Sequence, residues 1–199
     1  FGDPTLTQYG TDGFFTDWST TFGTWTGPSG SIIANGTFDT NGVHAYTVAD
    51  QTADAATLTS LEHALGLRSG GLMTIGGLSE TQSITGVAAF IKNTPITVAN
   101  DSVLRFDWIY TQTDHTNPDF LFVVVNGHAA KTFDLTSLTG INEAYGTFEM
   151  VLAAGSTVSL GIGVVNVGGT NAAPSLSLDN FRRTCLNGDP VILDLGGNG

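Results

Sequence analysis

The stretch Ser102-Val103-Leu104-Arg105-Phe106-Asp107-Trp108-Ile109-Tyr110 decides the fold class. Its residues sort by parity. Leu104, Phe106, Trp108 and Tyr110 share one face, and Val103, Arg105, Asp107 and Ile109 share the other. Successive side chains of an extended chain point to opposite sides, so this period of two predicts a strand with one face in a core. Further on, Phe120 to Val125 is apolar at every position, which predicts a central strand covered on both faces. Alternation returns over 146–152, where Phe148, Met150 and Leu152 fall together. Residues 157–167 read as a long strand lightened by Gly161 and Gly163, and 175–183 close the set. Shorter strand signals lie at 23–27, 31–38, 44–49 and 86–92.

One segment breaks the pattern. Leu58, Leu61 and Leu65 recur at helical spacing, Thr59 with Glu62 has the form of a capping box, and Gly66 can end the turn. A helix near 57–66 is expected. One short helix among eight to ten strands predicts an all-β chain, an antiparallel β-sandwich of jelly-roll type with the helix across one edge.

The 199 residues suffice for one domain with a full core. We place it at 1–185, with 186–199 as a linker and the start of a following module. The 26 glycines and only six Lys plus Arg favour strands and turns. A net charge of -12 argues against nucleic acid and against anionic membrane surfaces. Asp outnumbers Glu by 14 to 4. The shorter carboxylate suits tight oxygen-ligand loops, and equally it keeps an extracellular protein in solution. Cys185 is the single cysteine, so no intrachain disulfide forms. No run approaches 18 apolar residues, so membrane insertion is not expected. The first ten residues lack a basic start and an apolar run, so the chain reads as an excised piece of something longer.

Signatures of catalysis are missing. His44, His63, His115 and His128 are scattered, and none sits in a HExxH segment. Neither a GxSxG elbow nor a P-loop occurs, and Cys185 has no catalytic neighbours in sequence. Oxygen ligands are better represented. Residues 111–120 put Asp114, His115, Asn117 and Asp119 between two apolar strands, as a calcium loop or as an ordinary solvated one. Asp179 follows two inward leucines on the last strand, where a cation would compensate its charge; an edge-strand turn is the other reading. Asp107 joins the candidate ligands. In the tail, Asp194, Asn198 and Gly199 match the opening of a D-x-[DN]-x-[DN]-G calcium loop.

Taken in order, residues 58–67, 98–110, 118–127, 153–170 and 176–183 resemble the jelly-roll modules of large bacterial extracellular proteins, including RTX-type adhesins. The tail from Asp189-Pro190 resembles the opening of the self-processing module of RTX proteins, which cuts its own Asp-Pro bond when calcium binds. The resemblance implies a β-sandwich, often with Ca²⁺, that binds a glycan or a short peptide at a bacterial cell surface after secretion. It implies a scissile bond at Asp189-Pro190 only within a longer chain. Tyr110, Trp18 and Trp25 are the candidate aromatics for a shallow ligand platform, with His115 and Asn117 beside them. The isolated module is expected to be monomeric. The alternatives are a part in calcium-triggered processing and a structural spacer.

Overall fold

The computed structural model describes residues 18–19, 25–27, 30–32, 36–38, 45–92, 95–169, 172–186 and 190–191. In chain order its strands and helices begin with β1 (Trp18–Ser19), β2 (Trp25–Gly27), β3 (Gly30–Ile32), β4 (Gly36–Phe38), β5 (Ala45–Val48) and β6 (Gln51–Thr52). Two helices follow, α1 (Ala55–Ala64) and α2 (Gly71–Ile75). Then come β7 (Ile84–Lys92), β8 (Ile96–Thr97), β9 (Ser102–Thr111), β10 (Phe120–Val125), β11 (His128–Phe133) and β12 (Glu143–Leu152). The set ends with β13 (Thr157–Val158), β14 (Leu160–Val167), β15 (Ser175–Cys185) and β16 (Pro190–Val191).

All strand pairs are antiparallel. The first sheet runs β1-β7-β14-β10-β11, with β6 beside β7; the second runs β12-β9-β15-β5-β4, with β16 beside β15. The sheets pack face to face. Phe90, Leu121, Val123, Ile162 and Val164 of the first meet Leu104, Phe106, Trp108, Tyr110, Leu176 and Leu178 of the second in one core. Within it the Phe106 and Phe148 rings stack at 4.8 Å. The fold is therefore the expected all-β sandwich, and the alternation in 102–110 assigns its faces as read.

A third layer covers the outer face of the first sheet. Leu61, Leu65 and Leu72 of the helical segment pack on Val87, Ala89, Phe122, Val124 and Val165. This is why β10 and β14 are apolar at nearly every position: both of their faces are covered. The helices lie across a sheet face, and not across an edge as expected, because apolar side chains on both faces of β10 and β14 leave an outer surface that only another layer can bury. Glycines let the layers close. A Cβ on Gly163 would strike the Ala88 carbonyl and the Phe122 ring, and one on Gly86 would strike the Ala49 carbonyl.

The helix caps differ from the expected capping box. α1 starts at Ala55 because Asp54 accepts a 2.7 Å bond from the Thr57 amide, which also holds the Asp54 carboxyl below its usual range. Thr59 instead bonds the Ala55 carbonyl. Glu62 reaches onward: its two oxygens accept from the Gly70 and Leu72 amides at 2.9 Å each and cap α2. Gly66, with φ of 72°, follows the end of α1 as predicted.

Candidate functional site

The second sheet has no third layer over its outer face among the described residues, and the register lays that face out in rows. Antiparallel partners sit about 4.5–5.5 Å apart between Cα atoms. One row is Tyr145, Ile109 and Ser177, the next is Thr147, Asp107 and Asp179, and the third is Glu149, Arg105 and Arg182. An irregularity between Asp179 and Arg182 resets the third row. Tyr145 is 53% exposed and Ile109 36%. Thr147 donates its hydroxyl to Asp107 at 2.6 Å, and the Arg105 Nε donates to Glu149 at 2.7 Å. Like charges directly across a ladder repel. The Asp107 and Asp179 pair sits beside the Thr147 hydroxyl, which donates to Asp107, and next to the row that holds Arg105.

The second constellation closes one end of the sandwich, where β9 leads into β10. Gln112 continues the inward parity of Leu104 to Tyr110 and is fully buried. Its Oε1 accepts from the Tyr110 hydroxyl at 3.1 Å and from the Leu135 amide at 2.9 Å. Its Nε2 donates to the Asp114 carbonyl at 2.8 Å and to the Asn117 carbonyl at 3.0 Å. Two donor and two acceptor positions are thus filled, and a buried amide is stable only on those terms. Asp114 folds the loop locally, its Oδ1 accepting from the Thr116 amide at 2.9 Å and hydroxyl at 2.7 Å.

Two titrating groups complete this end. His115 has Nδ1 2.9 Å from the Leu135 carbonyl and Nε2 3.0 Å from Asn142 Oδ1. Two acceptors suit the doubly protonated ring, so the Asn142 bond first, then the Leu135 bond and the Asp114 charge, raise its pKa. Asp119 is 1% exposed, and its Oδ1 accepts from the Val167 amide at 2.7 Å. Burial pushes its carboxyl up to about 7; the Val167 bond works against that rise and the Asp114 charge adds to it.

The residues singled out in the sequence fall as follows. Asp114, His115, Asn117 and Asp119 come together in the β9–β10 loop. Asp107 and Asp179 come together on the outer face. Tyr110 is corrected: it is fully buried, its hydroxyl is held by Gln112, and burial drives its pKa well above the usual phenol range, so it offers no ring face to a ligand. Its own parity, shared with Leu104, Phe106 and Trp108, points inward. Trp18 opens β1 and Trp25 opens β2, on other elements than this loop, and their side chains lie outside the described residues. Asp189, Asp194 and Asn198 also lie outside the described residues, while Pro190 stands opposite Thr184 on β15. Sequence reading missed Gln112, Tyr145 and Thr147. The parity of β9, carried one step past Tyr110, would have found Gln112, and that of β12 would have put Tyr145 and Thr147 outward.

Neither a protein-family model nor a curated protein matches this chain.

Among the described residues, no three His, Cys, Asp or Glu side chains gather to hold a metal. Hard oxygen donors do gather in twos. Asp114 and Asp119 lie close enough for charge coupling, with the Asn117 side chain and the Gly168 carbonyl alongside. That donor chemistry is of the kind Ca²⁺ takes, with two carboxylates and neutral oxygens making up the rest.

Proposed function

We propose that this chain is a non-enzymatic, calcium-dependent binding module of a large secreted bacterial adhesin, and that it holds a cell-surface glycan or a short peptide on the open face of its second sheet. The observation that carries this reading is the asymmetry of the sandwich: helices cover the first sheet, whereas the second presents Tyr145, Thr147, Asp107 and Ser177 to solvent. An exposed ring beside hydroxyl and carboxylate groups is the chemistry that takes a sugar, the ring receiving its C–H face and the polar groups its hydroxyls. Ca²⁺ would be held by Asp114 and Asp119 with the Asn117 side-chain oxygen, and it would neutralise a carboxylate that burial otherwise penalises.

A glycan array probed with the wild-type chain and with Tyr145→Ala tests the platform. Selective signal that Tyr145→Ala removes without lowering the melting temperature supports it, and equal signal from the two proteins overturns it. Calcium is tested by thermal melts. An ion that binds only the folded state raises the melting temperature by mass action, so a melt that chelator leaves unchanged rules out the calcium part.

A further inference from the structure

The margins of the sandwich are not alike. β12 pairs with β9 over ten residues without a register shift, and among the described residues it ends its sheet. It contains no Lys, no Pro and no bulge, devices that commonly stop an edge strand from recruiting another strand; its charges are the two glutamates, Glu143 and Glu149. The neighbouring edge, β11, has such devices: it is six residues long, its register shifts between Val123 and Val124, and it carries Lys131. The described strands at the far margins are short, two residues each in β1, β6 and β16 and three in β4. The core is also incompletely closed beside β12. Phe133, Ala144 and Met150 are only partly buried against it. Beneath Gly146 lies Trp108, 6% exposed, whose buried Nε1 has no hydrogen-bond partner among the described residues.

We propose that β12 is the dimerisation edge of this protein, pairing antiparallel with β12 of a second copy about a two-fold axis at Thr147. The sequence of the strand is self-complementary about that point. On the outer face Thr147 would meet Thr147, Tyr145 would meet Glu149, and Glu143 would meet Val151, so no like charges oppose. On the inner face Gly146 would meet Phe148 and Ala144 would meet Met150, a small residue against a large one at each rung. An axis at Gly146 would set Glu143 against Glu149. An axis at Phe148 would set Thr147 against Glu149, a register that the cross-links below separate from the proposed one. A second copy therefore covers the partly buried core residues with side chains of matching size. It also joins the two second sheets into one continuous sheet, and the pairing is isologous, as a closed dimer requires. This inference stands apart from the ligand reading and replaces the monomer expected from sequence.

Sedimentation equilibrium of the intact chain is the test, with concentration raised from about 1 to about 500 µM so that mass action reveals a reversible dimer. The mass should rise from 20.7 kDa towards twice that value. Added salt should tighten the dimer, because each copy carries -12 and screening weakens their repulsion. Thr147→Lys puts two ammonium groups on the axis and should weaken association by up to about fivefold, the scale of one cross-strand pair, while the exposed site leaves the fold intact by circular dichroism. Thr147→Cys gives the register directly: oxidation should link two copies through residue 147, since cross-strand Cα separations fall in the disulfide range. Val151→Cys, 65% exposed but facing Glu143, should not link. A chain that stays monomeric throughout, a dimer unaffected by Thr147→Lys, or equal cross-linking at 147 and 151 would each overturn the proposal.

Discussion

Replacing Asp119 by Asn should stabilise the protein above neutral pH. The carboxyl of Asp119 ionises near 3.8 in an exposed chain and at about 7 in the fold. A raised folded value means that the folded state holds the proton more tightly than the unfolded one. Its contribution to stability is fully present below pH 3.8 and is lost as pH rises through 7. The difference of about 3 units, at 1.36 kcal/mol each, sets a ceiling of about 4 kcal/mol on the cost of the charge at pH 8. Local relaxation and water penetration around the charged form reduce this cost, and about 1–2 kcal/mol is the working figure. Asn keeps the oxygen that accepts from the Val167 amide and carries no charge, but its new amide protons need acceptors. Urea unfolding in EDTA at pH 8, 6 and 4 measures the balance. The variant should gain about 1–2 kcal/mol over wild type at pH 8 and lose the gain towards pH 4. A variant destabilised equally at all three pH values would refute the reasoning, because the carboxylate would then matter only as a hydrogen-bond acceptor.

The remaining predictions concern the caps and the close approaches. Glu62→Ala leaves the Gly70 and Leu72 amides without their acceptor, and urea unfolding should report a loss of about 2–4 kcal/mol at about 1–2 per orphaned donor. Gly86→Ala drives a methyl into the Ala49 carbonyl; overpacking of this kind costs about 1–3 kcal/mol, so the melting temperature should fall by about 3–10 °C. The His115 ring should titrate above 6.5, with both nitrogens protonated below its midpoint. Its stabilising effect is then present below pH 6.5 and fades as pH rises through the higher folded value; imidazole nitrogen shifts in an NMR titration check this, and a midpoint below 6.5 contradicts it.

The strands that were legible in the sequence are those whose two faces meet different environments, or whose faces are both covered. β9 shows the first case and β10 the second, so one alternates and the other is apolar throughout. β11 was invisible because most of its residues are exposed: without a core face, His128 to Phe133 carries no period. α2 was invisible for a different reason. Five residues between glycines have too few turns to show a helical repeat, and their cap is Glu62, eight to ten positions upstream. The loop residues Asp114, His115, Asn117 and Asp119 were found by composition, but the side chain that organises them was not. Gln112 looks like a polar residue after a strand until the inward parity is carried one position further. The depth of Asp119 had no signal in sequence, since an Asp in a polar loop reads the same whether it is exposed or enclosed by β14.

Gln112 has a consequence for recognition. A loop that settles into shape only on meeting its ligand gives up backbone freedom at that moment, about 1–2 kcal/mol for each residue fixed. Here the chain from Asp114 to Asn117 is already tied to Leu135 and Tyr110 through one buried amide, and that ordering was completed when the protein folded. Whatever this end of the molecule takes up, cation or ligand, meets a preset shape. Its affinity will then be governed by how well its oxygens and charges fit, with little lost to the ordering of the loop.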